Sequence, residues 1–229
     1  LIFSSFIFHL LSLIARWYIS GHAPWSNAYE SVIFIAFATM MAGMVFSRKS
    51  KFALAASCMV ASMLLFVANI NWLNPEITNL VPVLKSYWLM IHVSVITSSY
   101  GFFGLCAFIG LLNMILIILS NNSKIRSNVS DLTIINEQAM MIGLFLLTIG
   151  TFLGGVWANE SWGRYWGWDP KETWALVSCV VYIFILHIRL LKLKKYTYFF
   201  NFFSLFGFSS ILMTYFGVNF YLDGLHSYA

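Results

Sequence analysis

Charge is what this chain has least of. Only 9 % of its 229 residues are Asp, Glu, Lys or Arg, against 60 % apolar and a mean hydropathy of +0.81. That balance excludes the soluble globular classes and puts the chain in a lipid bilayer. Cysteine is nearly absent too. Cys58, Cys106 and Cys179 all sit inside apolar runs and form no C-x-x-C, which excludes a disulfide framework or a thiol metal site and leaves them as small packing residues. The chain opens on Leu1 within an apolar run, with no basic n-region and no A-x-A-like site before it, so the run does not read as a signal peptide. It reads as a piece of a longer chain. The net charge of +5 rests on few residues and gives no support to nucleic-acid binding.

Apolar runs are what the sequence has in abundance. A bilayer-spanning helix needs roughly 20 mostly apolar residues. Seven stretches qualify: about 1–19, 30–47, 52–70, 87–119, 137–156, 173–191 and 197–220. The expected fold is an all-α, polytopic membrane protein, a single unit over 1–229. The fourth stretch is over-long and is kept as one helix, because a break near Gly101 or Gly104 would disturb the alternation of charge. Arg48, Lys49 and Lys51, then Lys124 and Arg126, then Arg189, Lys192, Lys194 and Lys195 fall in alternate connections and make up nine of the 13 basic residues. The positive-inside rule makes those connections cytoplasmic. The segments around 22–30, 71–86, 157–172 and 221–229 then share the opposite, outer face.

All nine Trp, at 17, 25, 72, 88, 157, 162, 166, 168 and 174, fall in or beside those outer segments. An aromatic belt would anchor helices at both interfaces, and this distribution is one-sided. Six aromatics crowd into Trp157–Trp174, with Gly163 and Gly167 between them. Indole offers a broad π face and one donor, and glycine lets a ligand approach the backbone, so the segment suits a large flat apolar ligand. Asp169-Pro170 opens the sixth span; Asp169 reads equally as a helix cap and as a ligand contact.

Histidine narrows the ligand. His92 lies roughly 8 Å below the outer interface by helix rise, and His226 falls just past the seventh span. Two imidazoles beside a Trp platform point to haem, whose iron takes axial histidine. His187 lies roughly 21 Å into the sixth span, where a polar residue is costly and suggests function, or else a neutral ring bonded to a neighbouring helix. His9 and His22 have weaker claims.

The stretch Trp162-Gly-Arg-Tyr-Trp166-Gly-Trp168-Asp169-Pro-Lys-Glu-Thr-Trp174-Ala-Leu resembles the signature of the WWD-domain haem-handling family. Pro24-Trp-Ser-Asn-Ala-Tyr29-Glu30-Ser, Lys85-Ser-Tyr-Trp-Leu-Met-Ile-His92-Val and Phe216-Gly-Val-Asn-Phe-Tyr-Leu-Asp-Gly-Leu-His226-Ser-Tyr resemble its other characteristic stretches. The Pro170-Lys-Glu-Thr173 continuation resembles CcsA (ResC) of the System II cytochrome c synthase rather than CcmC. The resemblance implies haem b as bound substrate, contacted by Trp157, Trp162, Trp166, Trp168, Asp169 and Trp174. It implies His92 and His226 as outer iron ligands and His187 as ligand of a membrane site where haem enters. No side chain is implied as a nucleophile.

It further implies a CcsB (ResB)-type partner, separate or fused as in CcsBA, and an apocytochrome c acceptor with a CxxCH motif. The chain would be a multi-pass protein of a bacterial inner membrane or a thylakoid, with its active face outward. The implied activity is haem export and covalent attachment, that of a holocytochrome c synthase. A haem carrier that forms no covalent bond shares every one of these features. A transmembrane electron-transfer cytochrome would instead need bis-histidine pairs between helices on both sides of the membrane.

Overall fold

The computed structural model describes residues 1–70, 73–80, 85–119, 123–191, 195–222 and 224. Trp72, Lys192, Lys194 and His226, used above, lie outside them. Each apolar run forms a helix: α1 (Ile2–Ser20), α2 (Ala28–Phe46), α3 (Lys51–Asn69), α4 (Tyr87–Leu119), α5 (Ser123–Trp162), α6 (Pro170–His187), and α7 (Tyr196–Leu212). A 3₁₀ turn, Ile188–Leu191, follows α6. A π turn, Met213–Gly217, joins α7 to the short α8 (Val218–Tyr221). Seven helical stretches are long and apolar enough to cross a membrane, and the described residues contain no strand.

Two boundaries differ from the hydropathy reading. α5 is 40 residues long and begins at Ser123, well before the apolar stretch 137–156. Its polar first turns are helical because Val129, Leu132, Asn136, Ala139 and Met140 recur on one buried face. At the other end, Trp157–Trp162 continues α5 instead of opening a loop. The helix stops at Gly163, whose φ of 71° and N–H bond to the Asn159 carbonyl at 2.9 Å form a left-handed terminus. The irregular part of the Trp-rich segment is therefore only 163–169.

α4 runs unbroken for 33 residues and packs most extensively on α5, then on α7 and α2. Small residues allow this closeness. A Cβ on Gly101 would stand 2.8 Å from the Thr39 nitrogen of α2, and one on Gly110 2.7 Å from the Asn201 carbonyl of α7. Toward the basic end the three central helices share a polar network. The Asn201 amide donates to Thr133 at 2.8 Å and accepts from Asn113 at 2.9 Å and Asn136 at 3.2 Å. Ser204 extends it to the Cys106 carbonyl at 3.0 Å. In a lipid-facing bundle such bonds replace the water that these groups would otherwise require.

The Trp-bearing end is tied by an ion pair. Arg16 of α1 donates to Glu30 of α2 at 2.8 Å, while Ser26 donates to the other Glu30 oxygen through its nitrogen at 2.9 Å and its hydroxyl at 2.6 Å. Arg16 also reaches the Pro75 carbonyl at 2.9 Å and lies over the Tyr29 ring. Glu30 is fully buried. α1 otherwise sits at the margin of the bundle, against α2.

Candidate functional site

A cavity of about 240 Å³ opens at the Trp-bearing end, between α2, α4, α5, α6 and the π turn. Aromatic groups wall it: Trp25, Tyr100, Trp157, Tyr165, Trp166 and Tyr215. Each is fixed by the element that carries it. The Trp25 indole donates to the Met90 carbonyl at 3.1 Å and packs on Trp17 and Phe34. Trp157, 1 % exposed, meets Trp162 edge to face at 4.8 Å. Tyr215 belongs to the π turn, an interruption that often marks functional positions, and its hydroxyl donates to the Ala28 carbonyl at 2.9 Å. Asn219 also borders the cavity, and its side-chain oxygen is buried without a hydrogen-bond partner among the described residues.

His92 enters the cavity from the second turn of α4. Its Nδ1 donates to the Gly150 carbonyl of α5 at 2.6 Å. A carbonyl only accepts, so Nδ1 carries a proton, and in the neutral ring Nε2 is the nitrogen able to ligate a metal. The ring lies over Gly154, where a Cβ would stand 2.7 Å from its Cε1. Gly150 and Gly154 thus form a seat for the imidazole one helical turn apart. Sequence reading passed over both, although small residues four apart in a membrane helix are the ordinary sign of close packing.

The turn 163–169 is built by α6. Glu172 accepts from the Gly167 nitrogen at 2.7 Å and the Asp169 nitrogen at 3.2 Å, while Asp169 accepts from the Lys171 nitrogen at 3.0 Å. Together they form a capping box on Pro170, the first residue of α6. Trp168 is held at φ 58°, a region that bulky side chains avoid, and its ring is 70 % exposed, edge to face with Trp166 at 5.7 Å. Asp169 is therefore a helix cap, and it also borders the C-terminal segment. A Cβ on Gly224 would lie 2.6 Å from Asp169 Oδ2. Gly224 stands two residues before His226 in the sequence.

The expected site residues are thus distributed unequally. Trp157, Trp166 and His92 line one cavity, together with Lys171 and Glu172. Trp162 backs Trp157, Trp168 faces outward, Asp169 caps α6, and Trp174 turns its carbonyl to the Thr214 hydroxyl at 3.3 Å. His187 lies elsewhere, at the last residue of α6. Its ring is exposed on the outside of the bundle and donates through Nδ1 to its own helix at Ile183, 2.7 Å away, beside the Arg189–Glu137 ion pair. Among the described residues no three His, Cys, Asp or Glu side chains cluster as a metal site.

Residues 25–226 match the family described as "Cytochrome C assembly protein". NrfI of Wolinella succinogenes is 57 % identical over 226 residues, 98 % of this chain and 25 % of NrfI. The cytochrome c biogenesis protein CcsA of Prochlorococcus marinus strain MIT 9301 is 35 % identical over 259 residues, covering 95 % of this chain and 80 % of that protein. The CcsA of Guillardia theta is 34 % identical over 242 residues, covering 93 % and 79 %. The chain thus spans about a quarter of NrfI and about four fifths of these CcsA proteins. With seven membrane-length helices and a match over nearly its whole length, this chain belongs to the cytochrome c assembly family.

Proposed function

We propose that the chain holds haem b at its Trp-bearing end, with His92 and His226 as axial iron ligands, and presents it for covalent attachment to the CxxCH cysteines of an apocytochrome c. The observation that carries this reading is the His92 ring, seated on Gly154, fixed in one tautomer by Gly150 and exposed to an aromatic-walled cavity. The residues fit haem: a π surface and an imidazole whose Nδ1 is held by a carbonyl, so that the neutral ring can ligate iron through Nε2. At about 240 Å³ the cavity is smaller than the ~300 to 1,000 Å³ of ordinary ligand pockets. It would take one part of the macrocycle and leave the rest against the exposed Trp168, within reach of an acceptor.

In this reading the thiols of the acceptor add across the haem vinyl groups, each sulfur joining one vinyl carbon and the proton passing to the other. The chain supplies position and exclusion of water, not a nucleophile. Haem would enter near His187. Because that ring faces away from the bundle, its second ligand would come from a CcsB-type partner, fused or separate. The quarter-length match to NrfI supports further segments alongside this one. The Trp face would be extracytoplasmic, in a bacterial inner membrane or a thylakoid.

The test is His92→Gly and His226→Gly, each assayed for cytochrome c maturation with and without imidazole. Maturation falls in both variants and returns with imidazole if the rings ligate iron. Unchanged maturation in either variant removes that histidine from the site. Product that loses its haem on a denaturing gel would make the chain a carrier and not a synthase.

A further inference from the structure

α1 lends no residue to the cavity, yet its one arginine holds two of the cavity's walls. The first wall is the turn before α2, which contributes Ala23, Trp25, Ser26 and Asn27. The second is the segment 73–80, which reaches the cavity at Leu80. Arg16 divides its guanidinium between them. Nε donates to Glu30 Oε1 at 2.8 Å, while Glu30 Oε2 accepts from Ser26 of the first wall. Nη2 donates to the Pro75 carbonyl of the second wall at 2.9 Å and lies 3.5 Å from that of Glu76. The His22 ring stands between the same two walls, 3.2 Å from the Ala23 carbonyl and 3.3 Å from that of Thr78. The first wall is tied in turn to α4, because Trp25 donates to Met90, two residues before His92. Balancing the buried Glu30 takes a charge, but it does not take a fork.

We propose that Arg16 is a positioning residue for the ligand: its fork sets the spacing of the two walls, and its release opens the cavity while the helices stay folded. This deepens the haem reading and rests on it. At about 240 Å³ the cavity admits one part of a macrocycle, so a wall must give when haem enters or leaves. The segment 73–80 is the wall suited to give. Leu73 is buried against Val32 and Ala68, but 74–79 are exposed and belong to no helix. Their carbonyls are held from α1 and the turn after it, so loosening them leaves the central helices intact.

Two variants separate the fork from the charge. Arg16→Lys keeps a cation beside Glu30 but replaces the directional fork by a point charge. Arg16→Met/Glu30→Gln removes cation and carboxylate together. Each purified protein is compared with wild type by thermal unfolding, by hydrogen exchange, and by the rate at which bound haem passes to an excess of a soluble haem acceptor. Losing a hydrogen bond from a charged donor raises local opening by roughly 10- to 100-fold. Amides of 74–80 therefore exchange faster by that factor in both variants while those of α4 and α5 do not, and haem leaves faster by the same factor. Arg16→Lys unfolds near the wild-type temperature. Exchange that rises throughout the bundle in both variants makes Arg16 purely structural and overturns its positioning role. Unchanged exchange at 74–80 overturns it too, as does unchanged haem release where that exchange has risen; in each case the haem reading stands. Wild type that binds no haem overturns the haem reading, and the role of Arg16 with it.

Discussion

Gly154→Ala separates the binding site from the fold, because the site should fail while the fold holds. The new methyl would stand 2.7 Å from His92 Cε1 and 2.9 Å from Nδ1, where ordinary contact begins near 3.4 Å. The ring must retreat by roughly 0.7 Å, which stretches its 2.6 Å bond to Gly150 past the ~3.2 Å limit of a good N–H···O bond. Losing that bond costs about 1 kcal/mol. Replacing a mid-helix glycine by alanine returns about 0.8–1 kcal/mol of helix propensity. Net stability should hardly move, so thermal unfolding in detergent should match wild type. The site should not survive so well, since a misplacement near 1 Å can cost about 100-fold in a reaction that depends on positioning. Haem absorbance and cytochrome c maturation should therefore fall together in a fully folded protein. Wild-type maturation with an unaltered haem spectrum would refute the seat described for His92.

Asp169→Ala removes the α6 cap and should cost about 0.5–2 kcal/mol of stability, whereas Asp169→Asn keeps a good capping residue and should unfold as wild type does. If the Asn variant also matures cytochrome c normally, the carboxylate's role is confined to capping; a defect there despite normal unfolding would mean that its charge matters to the ligand or to the Gly224 segment. Arg16→Met strands the fully buried Glu30 carboxylate and should cost about 3–5 kcal/mol in thermal unfolding. The Arg16→Met/Glu30→Gln pair should recover much of that loss, and an unaffected single variant would show that Ser26 alone satisfies Glu30.

Helix number and the concentration of tryptophan at one end were readable because both follow from long-range composition: apolar runs of bilayer length, and basic residues in alternate connections. What stayed hidden depends on contact. Ser123–Glu137 looks like a polar connection until Val129, Leu132 and Asn136 are seen to face α4 and α7. Density singled out Trp157, Trp166, Trp168 and Trp174 alike, whereas it takes the fold to show that Trp157 and Trp166 line the cavity and that Trp168 is exposed. His92 stood out for its chemistry, while its seat did not, since glycine carries no chemistry to notice. Lys171 was read only as part of a motif, and its place at the cavity wall depends on the fold.

α5 is a 40-residue rod about 60 Å long, exceeding the ~40–45 Å of a whole bilayer. About a third of the way along it Glu137 grips Arg189 and Gln138 receives Lys49; toward the far end, Gly150 and Gly154 seat His92 and Trp157 walls the cavity. The helix therefore works as a gauge block between the two faces. A slip of a single residue along its axis, about 1.5 Å, would undo both sets of contacts together. The geometry offered to a ligand on one face is thus set in part by how α5 is clamped on the other.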